Sequence, residues 1–293
     1  MNDPGRAHHL LGTSLGRWHL RELIGTGGVA HVFLAEDAAG ERVALKLLRP
    51  ELLRKRTLVA RFEREAAVGA LVRHPNVLEV RPVERGADDL RWFVMELLVG
   101  IDLADELAAR RRLRPHHAVA VAIGIAEGLA AAHEVGVIHR DLKPENVFLV
   151  RRPGEPEHVK VLDFGFAWIL GAGDQVERPR LTTRGGFVGT PEYVAPEQSH
   201  GALGHPAADV YSLGILLHEL IAGDVPFRGG SWLETVQLHL AVEPTPPQGA
   251  SSELARVVAV ALAKDPRARF PTMRAFVEAL RATPEHRGAP FGG

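Results

Sequence analysis

The sequence predicts an α+β protein of two lobes: a small β-rich N-terminal lobe with one main helix, about 18–98, and a larger, mostly helical C-terminal lobe, 99–281. Three observations lead there. Residues 18 to about 50 read as consecutive strands broken by glycine and turn residues, as in hairpins rather than βαβ units. One helical pattern follows, and then two more strands. Past Gly100 helical patterns dominate. A cleft between two such lobes is the natural place for a ligand.

Trp18 to Ile24 alternates roughly, glycines interrupt it, and Val29 to Ala35 resumes; Asp37-Ala-Ala-Gly40 is a turn signal. Arg42 to Leu48 is a short apolar run holding one lysine, Lys46. Thr57 to Arg73 reads as a helix, with Phe62, Ala66, Gly69, Ala70 and Val72 as its more apolar positions. It stops at His74-Pro-Asn76, because the residue before a proline disfavours helix. Val77–Pro82 and Arg91–Leu97 read as strands, and Val99-Gly100 marks a boundary. Helices follow over about 102–111, 115–135, 207–222, 231–240, 251–263 and 272–281, with short strands between Val137 and Val161. Residues 171–206 are rich in Gly, Pro, Arg and Thr; a segment so long without periodicity is functional or disordered. Residues 1–17 read as a flexible segment and 282–293 as a disordered tail.

Composition narrows the function classes. A chain of 293 residues buries a substantial core, and 46% hydrophobic with 24% charged residues is ordinary for a globular protein. A net charge of -1 gives no nucleic-acid footprint. No cysteine is present, which excludes disulfides, thiolate metal sites and a cysteine nucleophile, and fits a reducing compartment, the cytoplasm. The most apolar stretch, Ala118 to Ala132, is interrupted by Glu127 and reads as a buried helix, since a membrane span needs about 20 apolar residues. The pairs His8-His9 and His116-His117 carry no further ligand pattern and read as surface histidines.

Several motifs carry chemistry. Gly25-Thr-Gly27-Gly28-Val-Ala-His-Val32 lets backbone N–H groups approach phosphate oxygens, although taken alone a glycine-rich hairpin turn fits equally. Strand-like sequence follows it where a dinucleotide-binding loop needs a helix. Lys46, inside the apolar run Val43-Ala-Leu-Lys46, must meet solvent, a carboxylate or a bound anion; by itself an edge-strand surface lysine fits. Glu65, on the helix of the small lobe, gains interest as a partner for Lys46. The segment Ile138-His139-Arg140-Asp141-Leu142-Lys143-Pro144-Glu145-Asn146-Val147 places a carboxylate, a cation and an amide in one short loop. Phosphoryl transfer needs such a set: a group to orient the nucleophile, positive charge on the phosphoryl, and an oxygen ligand for Mg²⁺. An Asx-capped turn accounts for one of the three. Lys160-Val-Leu-Asp163-Phe164-Gly165 runs an apolar strand into an aspartate suited to a hard cation. Gly189-Thr190-Pro-Glu-Tyr-Val-Ala-Pro196-Glu197, Asp209-Val-Tyr-Ser-Leu-Gly214 and Lys264-Asp265-Pro266-Arg267-Ala268-Arg269 complete the order.

With these motifs in this order, the chain resembles the eukaryotic-type Ser/Thr protein kinases, above all their bacterial branch, over roughly Trp18 to Leu280. The resemblance implies a protein-kinase-like fold, ATP and Mg²⁺ (or Mn²⁺) as cofactors, and protein substrates. It implies that Gly25, Gly27 and Gly28 cover the ATP phosphates, that Val32 and Ala44 pack on adenine, and that Lys46 contacts the α- and β-phosphates while paired with Glu65. Met95 is then the gatekeeper, and Glu96 to Leu98 the hinge that hydrogen-bonds adenine. Asp141 orients the attacking hydroxyl and accepts its proton, Lys143 steadies the γ-phosphate, and Asn146 and Asp163 ligate Mg²⁺. Glu197 pairs with Arg269, and Asp209 anchors the backbone of the catalytic loop. Lys143 together with Thr190 matches the Ser/Thr class.

Two departures stand out. Ala30 replaces the third glycine of the loop, with little expected loss. Gly69 lies mid-helix on the segment carrying Glu65, where glycine costs about 1 kcal/mol against alanine. That predicts a mobile helix and a Lys46–Glu65 pair formed only in the active state. Arg140 beside Asp141 predicts regulation: in the resembled family such an arginine binds a phosphate on the activation segment. Thr182 and Thr183 are the candidate phosphosites, with Arg178, Arg180 and Arg184 nearby, and transient self-association would serve autophosphorylation.

Other readings fit less well. A pseudokinase loses the lysine or an aspartate, and Lys46, Asp141, Asn146 and Asp163 are all present. A small-molecule phosphotransferase lacks the Gly189–Glu197 segment. A dinucleotide-dependent dehydrogenase needs a βαβ start. The expectation is an active Ser/Thr kinase, either naturally short or a fragment of a longer chain.

Overall fold

Residues 8–164, 167–169, 191–199, 201 and 204–288 are described by a computed structural model, and their contacts fall into two units. The first is built on the residues up to Arg73, Leu78–Val99 and 163–164; the second on His74–Val77, Gly100–Leu162 and the described residues from 167 onward.

The first unit is an antiparallel sheet with one long helix. Its strands are β1 (Ser14–Leu15), β2 (Trp18–Thr26), β3 (Ala30–Glu36), β4 (Arg42–Leu48), β5 (Glu84–Arg85) and β6 (Arg91–Glu96), in the order β1-β2-β3-β4-β6-β5. Its helix α1 spans Arg56–Leu71. Register decides what each face presents. Val32 pairs with Lys46, Leu34 with Ala44, Ala44 with Met95 and Lys46 with Phe93. Partners across an antiparallel ladder project to the same side, so Val32, Ala44, Lys46 and Met95 share one face. Part of that face is covered by α1, where Ala30, Leu48 and Phe93 pack with Val59, Phe62 and Ala66. The other face carries Trp18, Phe33, Val43, Leu45, Leu47, Trp92 and Val94. Strand β4 is apolar on both sides because both are buried, which explains an apolar run from Val43 to Leu48 interrupted by Lys46 alone.

The second unit is mostly helical: α2 (Leu103–Arg110), α3 (Pro115–Glu134), α4 (Pro196–Ser199), α5 (Ala207–Ala222), α6 (Trp232–Ala241), α7 (Ser252–Ala261), α8 (Met273–Arg281) and α9 (Pro284–Arg287). Side chains accept backbone N–H groups at several N-termini: Asp102 for α2, Ser231 for α6, Ser251 for α7 and Thr272 for α8. α5 is buried on nearly every side, from Ala207 to Ile221. α8 instead buries one stripe, Met273, Phe276, Val277 and Leu280, at helical spacing. Strands β7 (Gly100–Asp102), β9 (Val147–Val150) and β10 (His158–Val161) form an antiparallel sheet, and β8 (Val137–Ile138) pairs with β11 (Trp168–Ile169). α3 lies so close to residues 74–77 that a Cβ at Gly128 would meet the Asn76 carbonyl oxygen at 2.7 Å. Among the described residues, no helix is long and apolar enough to cross a membrane.

Several points differ from the sequence reading. Val77–Pro82 is not a strand: its bridges are isolated, Val77 to Val161 in the second unit and Val80 to Met95 in the first. Gly100–Asp102 forms β7 ahead of α2, because β9 offers it a partner. Within the segment read as flexible, Ser14–Leu15 pair with β2. Within the segment read as tail, α9 is held by Glu285, which accepts hydrogen bonds from the Ser251 N–H and Oγ.

Candidate active site

Within the first unit, Lys46 Nζ donates to Glu65 Oε1, joining β4 to α1. The pair is largely withdrawn from solvent, with side chains 22% and 16% exposed. Lys46 also lies 5.7 Å from the centre of the Phe93 ring. Burial works against the lysine's charge, but the Glu65 carboxylate, and after it Asp163, more than offset this and raise its pKa. Burial pushes Glu65 up as well; Lys46 pulls against that, and Asp163 adds repulsion. Two carboxylates thus share one ammonium. The pair is formed, and Gly69 has a packing explanation: a Cβ there would meet Val80 at 3.1–3.3 Å. The glycine admits the strand-side neighbour, so the mid-helix position does not by itself argue for a mobile helix.

The Gly27 N–H donates to the Ala30 carbonyl at 2.9 Å and closes the β2–β3 turn. Gly25, Gly27 and Gly28 do not adopt positive φ. Among the described residues, a Cβ at Gly28 would touch nothing within 4 Å. These glycines therefore leave the backbone uncovered rather than permit an unusual conformation. The Ala30 methyl is buried in the α1 cluster, so alanine at the place of the third glycine is packed there. Ala44 is buried, while Val32, Met95, Glu96 and Leu98 are half-buried. The Glu96 N–H donates to the Glu79 carbonyl at 3.1 Å, and Glu96 Oε1 accepts the Glu79 N–H at 2.8 Å. Asp163 has φ 47°, a left-handed conformation that is strained for a non-glycine residue.

Within the second unit, the loop after β8 is organised from below by Asp209 of α5. This fully buried carboxylate accepts the His139 N–H on Oδ2 at 2.9 Å and the Arg140 N–H on Oδ1 at 2.8 Å. A third contact, 2.7 Å, comes from His133 Nε2 of α3. Burial alone would push this carboxyl up; the hydrogen bonds from His133 and the loop backbone outweigh it and hold the pKa below the usual range. The His139 ring faces the Leu162 carbonyl through Nε2, 2.9 Å, and the Asp141 N–H through Nδ1, 3.3 Å. A carbonyl only accepts and an N–H only donates, so Nε2 carries the proton. Asp141 Oδ2 lies 3.3 Å from Lys143 Nζ. Asn146 donates from Nδ2 to the Asp141 carbonyl at 2.7 Å and to Oδ2 at 3.2 Å. Its amide oxygen is thereby turned away from Asp141.

The predicted set therefore gathers in two groups: Lys46, Glu65 and Asp163 in one unit, Asp141, Lys143 and Asn146 in the other. Arg140 lies in the second group, with φ 68°. Glu197 and Arg269 form the expected pair, through two hydrogen bonds of 2.7 and 2.8 Å. Gly165, Arg178, Arg180, Thr182, Thr183, Arg184, Gly189 and Thr190 lie outside the described residues. His133 and Gln198 escaped the sequence reading; each is a polar residue on a helix, with no local signal of the loop it reaches. His117 contacts Glu157 at 2.6 Å, and among the described residues no three His, Cys, Asp or Glu side chains form a metal cluster. Asp163 and Asn146 nevertheless each offer a hard oxygen, the donor type for a cation that takes its other ligands from phosphate and water.

A family model described as the protein kinase domain matches residues 18–280. The chain is similar to Serine/threonine-protein kinase pkn3 of Myxococcus xanthus, 36% identical over 98% of this chain and 53% of that protein. It is 38% identical to Serine/threonine-protein kinase PkaB of Streptomyces coelicolor, over 87% of this chain and 60% of the relative. It is 36% identical to Serine/threonine-protein kinase PknB of Mycobacterium tuberculosis, over 87% and 41%. The chain thus spans about two fifths to three fifths of the length of these curated relatives.

Proposed function

The chain belongs to the protein kinase domain family, and from that premise we propose that it transfers the γ-phosphate of Mg-ATP to serine and threonine hydroxyls of protein substrates. The observation that carries the reading is the arrangement of Asp141, Lys143 and Asn146 in one loop anchored on a buried carboxylate. The Asp141 carboxylate faces Lys143 and Asn146 through Oδ2, which leaves Oδ1 to accept the proton of an attacking hydroxyl. That hydroxyl oxygen bonds to the γ-phosphorus as the bond to the β–γ bridging oxygen breaks, giving a phosphoprotein and ADP. Lys143 bears on the transferring phosphoryl. Lys46, held extended by Glu65, meets the α- and β-phosphates, with the backbone of Gly25, Gly27 and Gly28 over them. Val32, Ala44 and Met95 share the sheet face that would take adenine, and Glu96 to Leu98 would hydrogen-bond it. Asn146 and Asp163 would hold Mg²⁺, or Mn²⁺, which neutralises charge on the phosphates when bound.

Regulation belongs to the same proposal. A phosphate on Thr182 or Thr183 would pair with Arg140, reached by autophosphorylation through transient self-association. Thr190 would lie in the segment that receives the protein substrate. A cytoplasmic setting, where ATP is at hand, suits this activity. The test is transfer from labelled ATP with Mg²⁺ to the protein itself and to a generic basic substrate, alongside Asp141→Asn. Transfer that disappears in the variant supports the reading; undiminished transfer in the variant removes Asp141 from the chemistry.

A further inference from the structure

The backbone of Arg140 is held from both sides, and only one of the two holds belongs to the anchoring already described. Its N–H goes to Asp209 Oδ1, 2.8 Å. Its carbonyl accepts the side-chain amide of Gln198, 3.2 Å from Nε2. Gln198 lies on α4, the short helix that follows residues 191–195, and its Oε1 accepts the Ala195 N–H at 2.9 Å. The two contacts require the same orientation of the amide. The Arg140 carbonyl can only accept and the Ala195 N–H can only donate, so Nε2 and Oε1 are assigned without ambiguity.

The Arg140 backbone needs such a hold. At φ 68° it occupies the left-handed region, which is strained for a non-glycine residue and persists only where its surroundings impose it. The peptide carrying the Arg140 carbonyl is also the peptide that carries the Asp141 N–H. That N–H faces His139 Nδ1 at 3.3 Å, a long contact. The orientation of this one peptide plane therefore sets where the Asp141 side chain points.

We propose that Gln198 is a positioning residue for the reaction: its amide ties the segment ending at α4 to the peptide that aims Asp141. The inference rests on the kinase reading above. It makes residues 195–198 a sensor of segment placement. When Ala195 and Gln198 are in place the Arg140–Asp141 peptide is clamped; when they shift, the loop keeps its Asp209 anchor and loses its aim.

The experiment compares wild type, Gln198→Met and Gln198→Glu in phosphate transfer with Mg-ATP. Gln198→Met keeps the length and removes both contacts. It is expected to lower kcat about tenfold with KM for ATP unchanged, beside a lower thermal midpoint from the unpaired Ala195 N–H. Gln198→Glu keeps the acceptor for Ala195 and sets a carboxylate oxygen against the Arg140 carbonyl. Its activity relative to wild type is expected to rise as pH falls from about 8 to about 6, because a protonated carboxyl donates to that carbonyl again. Equal kcat for wild type and Gln198→Met overturns the proposal. So does a loss shared by KM for ATP, or a pH-independent ratio for Gln198→Glu; either result makes Gln198 merely structural. Wild type that transfers no phosphate after priming sinks the kinase reading instead, and the two failures are thereby distinct.

Discussion

Arg269 and Glu197 meet through two parallel hydrogen bonds, 2.7 and 2.8 Å, with the arginine side chain wholly buried. The guanidinium is otherwise filled by carbonyls: Ala263 on Nε at 2.8 Å and Ala207 on Nη1 at 2.9 Å. Removing one partner strands a charge, so Arg269→Met is expected to cost about 3–5 kcal/mol in urea unfolding. A change under 1 kcal/mol would show that this pair does not brace the unit.

Lys264 makes the opposite case. Among the described residues its Nζ is buried without a hydrogen-bond partner, and it sits 4.1 Å over the Phe227 ring. Burial lowers its pKa to about 8, well under its value in the unfolded chain. Between those two values the folded protein has released a proton that the unfolded chain still holds. Wild-type stability therefore rises with pH across that window, and the full penalty applies below it. Lys264→Met is expected to stabilise by about 1 kcal/mol near neutrality, after allowing for solvent screening, with a gain that shrinks as pH climbs past about 8. Thermal midpoints against pH decide it; a gain that grows with pH would contradict the argument.

Glycines at two positions should behave differently on becoming alanine. Gly128→Ala drives a methyl onto the Asn76 backbone and is expected to destabilise by about 1–3 kcal/mol. Gly28→Ala meets open space at an ordinary φ, so folding stability should hold. Its predicted effect is on nucleotide: a several-fold higher KM for ATP. An unchanged KM would mean the turn does not cover phosphates.

Glu65→Gln leaves Lys46 without its charge partner while Asp163 remains. Transfer is expected to fall about a hundredfold, the size typical of losing one preorganised electrostatic contact. Steady-state kinetics with saturating ATP measure this, and circular dichroism checks that the fold is kept.

Much of this was legible because the chemistry is local. Residues 139–146 place the proposed roles within one loop, and Lys46 stands out as the one lysine in an apolar strand. Strand and helix limits followed period and punctuation closely for β3, β4, α3 and α5. What escaped depends on partners distant in sequence. Val77 and Val80 look like one strand, yet their bridges go to Val161 and Met95. Gly69 looked like a flexible point until Val80 came against it. Gln198 reaches a carbonyl 58 residues earlier, and His133 a carboxylate 76 residues later. No local pattern encodes such reach.

The Asp209 anchor has a consequence in time. The His139 and Arg140 amides wait for a carboxylate 70 and 69 residues further along the chain. On a ribosome, the catalytic loop leaves the exit tunnel well before α5 does, and closing a loop of that length precedes any reward from the contact. Until α5 docks, the His139 and Arg140 amides lack the carboxylate that accepts them, and the anchor beneath the loop is missing. A nascent chain released before residue 209 thus carries every residue of the signature loop and lacks the carboxylate that anchors it.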